Sequence, residues 1–373
     1  MKKRLIAHIG THKTGSTSIQ KALYDARGAL RQAGILFPST DRGPRPSKHH
    51  SINTAAKSGL PEAKDAEYRA LMDEFNASGA HTMIVSAEGF SAPTPDVAEF
   101  FARFLPDFDL EVVCYLRRQD QFVESLYNQV LRDPDNAERR SISEFWRDER
   151  ISARLDYHTT LARWRDLPAK VIALDFAREV KQHGLLPSFL QATGLQALGP
   201  LPDKVANKSP DMNLVLTLRQ LHLHGIDHNH KRLIRAARAL DETGDFAFLK
   251  QTLGGRERTA LLDTFADCNA RLAADFGVRF SEDRPKEGTE PIDAPEPRYV
   301  MALIALLSLG KGKMEEDEDE SPLTPEQLAE KEQMKQVRRQ RRADKAERAE
   351  RKKAGKAEKA SPEQKAARKA ARA

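Results

Sequence analysis

Three short polar clusters stand out in this chain, and the first has residue types and a spacing suited to gripping a multiply charged anion. The first is Ile9-Gly10-Thr11-His12-Lys13-Thr14-Gly15-Ser16-Thr17-Ser18. Gly10 and Gly15 bracket a cation, and hydroxyls follow. The segment lies between an apolar run and a helical pattern. In that setting free backbone N–H groups and a helix N-terminus hold phosphate-like anions. A nucleoside triphosphate loop reads G-x-x-x-x-G-K-[ST]. Here Ser16 stands where that lysine belongs, and the ammonium lies before the second glycine, at Lys13. The charge therefore approaches from the other side of the loop. The second cluster is Arg117-Arg118, with Ser125 eight residues after Arg117. A guanidinium makes forked bonds to a phosphate, and a helical hydroxyl adds a donor. Arg118 could exchange roles with Arg117. The third is Ala206-Asn207-Lys208-Ser209, where Asn207 and Ser209 offer polar contacts ahead of a helical pattern.

Group transfer to a hydroxyl also needs a base within hydrogen-bond reach. Glu88, in Ser86-Ala87-Glu88-Gly89, follows a β-rich run, and ligands bind at the carboxyl ends of parallel strands. His49 and His50 precede Ile52 in a polar loop. Glu88 is the first choice, His50 the second. His222, His224, His228 and His230 have a spacing that fits no standard zinc site, and no cysteine supports one, so no metal is expected.

The elements that must carry these residues read as α/β. Strands are expected at Leu5–Ile9, Thr82–Ser86, Glu111–Leu116 and Lys170–Leu174, separated by helical patterns, which favours a mainly parallel sheet covered by helices. Ile19, Ala22, Leu23, Ala26 and Leu30 recur at helical spacing, with Gly34 as a stop. Phe122, Leu126 and Val130 mark a second helix face, and Arg42–Ser51 reads as a loop. From Asp211 the pattern is mostly helical. Residues 1–285 form the expected domain. Residues 286–312 are a connector with a short apolar helix, Tyr299–Leu309, and 313–373 are a disordered or loosely helical tail. The net charge of +6 divides unevenly: residues 314–330 carry −8, residues 331–373 carry +11 and the remainder +3. The basic balance thus belongs to the tail.

The first two clusters, each after a strand and in this order, resemble the sulfotransferase superfamily, in particular its bacterial branch. The match Lys13-Thr14-Gly15-Ser16-Thr17-Ser18 is similar to that family's 5′-phosphosulfate loop, and Arg117 with Ser125 to its 3′-phosphate clamp. The resemblance implies a P-loop three-layer sandwich and 3′-phosphoadenosine 5′-phosphosulfate as sulfuryl donor. It further implies Lys13 at the phosphosulfate bridge, with Thr14, Gly15, Ser16, Thr17 and Ser18 around it. Asn207 and Ser209 would return to the 3′-phosphate or adenine. The acceptor is expected to be a hydroxyl compound, a glycan or glycolipid, met by the loop Arg42–Lys57 and the helices around 211–250. Two rivals stay open. One is a P-loop kinase or NTPase, which would need a Mg²⁺-binding carboxylate and a lysine after Gly15. The other is a binding protein acting through its basic tail, where missing aromatics restrict contact with nucleic acid or an anionic surface to weak, unspecific attraction. No run is long enough to span a bilayer and no secretory signal is evident, so a cytoplasmic location is expected.

Overall fold

Alternating β-rich and helical segments assemble into a five-stranded, all-parallel sheet of order β2-β3-β1-β4-β5. A computed structural model of the chain describes residues 2–11, 13–39, 47–133, 136, 138–202, 211–246, 252–283 and 292–309. The strands are β1 (Lys3–Ile9), β2 (Ile35–Leu36), β3 (Thr82–Ala87), β4 (Phe108–Leu116) and β5 (Lys170–Asp175). Between β1 and β4 run helices α1 (Ser16–Asp25), α2 (Arg27–Gln32), α3 (His50–Lys57), α4 (Pro61–Ser78) and α5 (Asp96–Phe101). Helices α6 (Gln119–Leu131), α7 (Ile142–Arg147), α8 (Glu149–Ser152) and α9 (Tyr157–Arg165) lead to β5. After it come α10 (Phe176–Gln182), α11 (Leu185–Thr193), α12 (Met212–Leu223), α13 (His230–Thr243), α14 (Gly255–Thr264), α15 (Ala266–Phe276) and α16 (Pro297–Leu309).

Both faces of the sheet are covered, so the strands read as near-continuous apolar runs that sort by parity. Leu5, Ala7 and Ile9 of β1 join Met83, Val85, Val112 and Cys114 under Phe100, Phe101, Phe104 and Trp164. The alternate residues Ile6, Ile84, Val113 and Tyr115 pack against Ile19, Leu23, Leu30 and Phe189. Truncating one fully buried ring, Phe101→Ala, would cost about 3–5 kcal/mol. A third cluster seats α6: Phe122, Val123, Leu126 and Tyr127 meet Phe145, Met212 and Leu261. In a fourth, Tyr299 and Leu303 of α16 are buried against α12 and α13, and the compact unit spans Met1–Leu309.

Two local expectations change. The periodic segment after β1 is two helices, broken at Ala26 (φ −90°, ψ 7°), although the apolar spacing runs through the break. The loop expected over Arg42–Ser51 ends earlier, because His50 opens α3.

Strand order places the chemistry. The chain leaves β1 toward β3 and β2 on one side, then crosses to β4 and β5 on the other. The carboxyl ends of β1 and β4 therefore flank a topological switch point, where open α/β sheets bind ligands.

Candidate active site

The loop after β1 is held in place by its own hydroxyls. The Thr11 hydroxyl donates to the Tyr115 carbonyl (2.7 Å), pinning the loop to the end of β4, and the Thr14 hydroxyl donates to the Thr11 carbonyl (2.7 Å). Thr14 is fully buried, so its hydroxyl serves the loop and leaves its backbone for a ligand. A Cβ at Gly10 would collide with Ser16 Oγ. At Gly15, φ is 74° and a Cβ would collide with Leu185, so only glycine fits. Helix α1 starts without a side-chain cap and without an acidic residue in its first turn. Its first N–H groups and the positive end of its dipole are available to an anion. Lys13 (φ 67°) is the one non-glycine residue with positive φ among the described residues. Such a backbone costs about 1–2 kcal/mol and marks a position held for a purpose. Thr17 is exposed and Ser18 half-buried.

Around Lys13 the structure gathers charge from three other places. Burial holds its ammonium below the ordinary lysine value; the Arg132 and Arg117 guanidiniums push the same way, and the Glu88 carboxylate opposes them. Lys13 and Arg117, 104 residues apart in the chain, are thus near enough for their like charges to interact. The guanidinium of Arg117 lies over the Phe176 ring at 4.8 Å, and its carbonyl accepts from the Tyr157 hydroxyl (2.7 Å). Its Nε is buried and meets no acceptor among the described residues. Arg118 is otherwise engaged. Asp120 holds it in a two-point pair (2.8 and 2.9 Å), and it donates to the Ser281 and Asp283 carbonyls. Arg118 thus has its partners within the protein, whereas Arg117 Nε has none among the described residues.

Ser125 is half-buried on α6, off its apolar face. Three and seven residues further, on the same side, come Asn128 and Arg132. Arg132 Nε donates to Asn128 Oδ1 (2.7 Å), and burial lowers the pKa of this guanidinium, with Arg238 adding to the effect. Sequence reading passed over Arg132, although its seven-residue offset from Ser125 was a usable signal.

Glu88 opens a 3₁₀ turn, Glu88–Ser91, directly after β3. The Ser91 hydroxyl donates to the Gly10 carbonyl (3.1 Å), tying this turn to the loop. Lys48, itself buried, places its ammonium 3.6 Å from Glu88 Oε1. The two neighbouring histidines separate. His49 is buried and braces the loop: Nδ1 accepts from the Ser86 N–H (3.0 Å) and Nε2 donates to the Pro38 carbonyl (3.1 Å). His50 is exposed at the start of α3. A cavity of ≈ 90 Å³ lies beside Glu88, with Thr11, Leu116, Phe122 and Tyr157 among its walls. Asn207 and Ser209 lie outside the described residues.

His222, His228 and His230 stack as a row of rings, with centroids 5.6 and 5.8 Å apart. Among the described residues no group of three or more His, Cys, Asp or Glu side chains is placed to hold a metal ion. Nor is any helix among them long and apolar enough to cross a membrane.

No family model matches the chain. It is 28% identical over 200 residues to a protein of Archaeoglobus fulgidus described as uncharacterized, covering 52% of this chain and 53% of that protein. The chain thus spans about half the length of the curated relative it matches. Among solved structures it is similar to a sulfotransferase from Alicyclobacillus acidocaldarius. The sequence identity is 16% and the TM-score 0.37, over 60% of this chain and 97% of that one.

Proposed function

We propose that the protein transfers a sulfuryl group from 3′-phosphoadenosine 5′-phosphosulfate to a hydroxyl acceptor, a carbohydrate or glycolipid. The observation that carries this reading is the mutual electrostatic influence of Lys13 and Arg117, each beyond a strand that borders the switch point. One nucleotide with anions at its 5′ and 3′ ends would engage both. Lys13 and the open N-terminus of α1 would take the phosphosulfate bridge, with the Ser16, Thr17 and Ser18 segment around it. Arg117, whose buried Nε wants an acceptor, would take the 3′-phosphate with Ser125, and Arg132 would add charge. Asn207 and Ser209 belong to the same proposal through the family resemblance.

In the transfer the acceptor oxygen bonds to sulfur as the bond from sulfur to the 5′-phosphate oxygen breaks. Negative charge grows on the departing phosphate, and fixed donors aimed there lower the barrier. Lys13 suits that task because its backbone is locked and its ammonium is partly withdrawn from water. The acceptor proton would pass to Glu88, held by Lys48 beside the cavity, with His50 the second choice. A kinase or NTPase would instead want a lysine after Gly15, where this chain has Ser16.

The test is calorimetric. Adenosine 3′,5′-bisphosphate should bind at least tenfold more tightly than ATP, with or without Mg²⁺, and radiolabelled sulfuryl donor should label hydroxyl acceptors. Tighter, Mg²⁺-dependent ATP binding would overturn the assignment.

A further inference from the structure

The cavity beside Glu88 holds more positive charge than proton transfer requires. Its floor is apolar, from Leu116, Phe122 and Tyr157. Glu88 stands on one wall, already paired with Lys48. At the rim are Lys57, in the last turn of α3, and Arg154, between α8 and α9. Both are exposed, and the two cations repel each other. Among the described residues neither side chain is in an ion pair or hydrogen bond. Asp96, at the start of α5, attracts Lys57 at least as strongly as Arg154 repels it, and burial is the leading influence on Arg154. Partial burial disfavours the charged form of each. Two cations brought to one cavity from separate elements, neither in an ion pair among the described residues, offer an anion two charged donors.

Resting on the sulfuryl-transfer reading, we infer that Lys57 and Arg154 form an acceptor subsite, selecting a hydroxyl compound that carries an anionic group such as a carboxylate or phosphate. The layout supplies the orientation. A hydroxyl directed at Glu88 enters the cavity, a sugar ring or hydrocarbon lies on the Leu116, Phe122 and Tyr157 floor, and the anion stays between the two rim cations. An arginine pairs with either anion in a forked geometry, and the lysine supplies a mobile point charge. A neutral acceptor would meet the same floor and base but engage neither rim cation, so the anionic acceptor gains contacts the neutral one lacks.

Binding to the full-length chain, with the donor site filled by saturating adenosine 3′,5′-bisphosphate, tests this. The probes are methyl β-D-glucuronide, glucose 6-phosphate and methyl β-D-glucoside, titrated by calorimetry or ligand-observed NMR. At least one anionic sugar should bind tenfold or more tightly than the neutral glucoside. The double variant K57Q/R154Q should lose that preference while binding adenosine 3′,5′-bisphosphate as before, and K57R/R154K should restore it. Uronate preference separates a carboxylate site from a phosphate site. Equal binding of all three sugars, no binding of any, or an unchanged preference in K57Q/R154Q overturns the subsite. If adenosine 3′,5′-bisphosphate itself fails to bind, the same titrations without nucleotide still decide the subsite. In that case it is the sulfuryl-transfer reading that falls.

Discussion

Arg117 and Arg118 are neighbours with the same side chain, and the structure treats them in opposite ways. Arg118 belongs to a buried network. Asp120 accepts from it and from Arg258 (2.6 Å), while Glu124 takes the other end of Arg258 (2.9 Å) and the Thr252 and Leu253 N–H groups. Every charge there has a partner, which is what a buried ionic group needs to be tolerated. Arg117 sits one residue back with an orphaned Nε, in a region where Lys13 and Arg132 add like charge. The first arrangement joins α6 to α14 and to the chain near residue 281. On the proposed reading, the second lowers the energy of an anion complex relative to the ligand-free protein: paired cations hold the scaffold, and the unpaired Arg117 Nε is left for the ligand.

The largest expected break in that contrast is Arg258→Met. Arg258 is buried, and its loss removes the ion-pair partner of Glu124 and one of the two guanidiniums on Asp120, so urea unfolding should show a loss of about 3–5 kcal/mol. Nucleotide affinity measured well below the transition should stay within about twofold, because these groups are engaged with one another. Next comes Lys13→Ala. It should lower turnover on the order of 100- to 1,000-fold, the usual consequence of deleting a donor to a developing anion. Its stability should hold, since a partly desolvated charge is removed while the backbone at this position keeps a Cβ. A Lys13→Ala protein that unfolds like Arg258→Met would erase the distinction.

How far such a contrast can be read without coordinates depends on how local it is. The four longer strands were visible as β-rich runs, because a sheet covered on both faces needs continuous apolar residues. β2 has only two residues, too few to carry a pattern. The loop was visible because glycine spacing and hydroxyl runs are local. Lys13's backbone conformation was not, since nothing in its residue type announces φ 67°. Choosing between Arg117 and Arg118 requires Asp120, Arg258 and the carbonyls of Ser281 and Asp283. The last three lie more than 130 residues downstream. The same holds for His49 and His50, which only the backbone of Ser86 and Pro38 tells apart, and for Lys48, which reaches Glu88 by the folding of a loop.

A third kind of site lies beneath the loop and extends the comparison to the core. His8 on β1 is fully buried, with Nδ1 2.7 Å from Ser86 Oγ, to which Gln20 also donates (3.1 Å). Its Nε2 has no partner among the described residues, and no carboxylate compensates the ring. Burial alone therefore pushes the imidazole pKa from 6.5 down to about 4. The fold holds the neutral form, so unfolding takes up a proton between those two values. This contribution is complete above pH 6.5 and is lost as pH falls toward 4. It is on the order of 3 kcal/mol in all. Urea midpoints at pH 7.5, 5.5 and 4.5 should decline accordingly, and His8→Asn should flatten the acid limb. An equal slope in both proteins would mean that other groups govern acid unfolding.

The smaller predictions concern the clamp itself. Arg117→Gln should weaken adenosine 3′,5′-bisphosphate by about 1.5–3 kcal/mol, roughly 10- to 100-fold, while leaving adenosine 5′-phosphate nearly unchanged. Arg132→Gln should do less, about 1 kcal/mol or roughly fivefold. Part of its hydrogen-bonding capacity is already spent on Asn128, so it reaches a ligand through charge more than through directed bonds. That difference is testable by salt. Raising ionic strength should erode the Arg132 contribution more than that of Arg117, since screening acts on unbonded charge and spares a desolvated pair. If both losses shrink in parallel as salt rises, Arg117 is a distant charge as well. Its orphaned Nε would then no longer mark the 3′-phosphate.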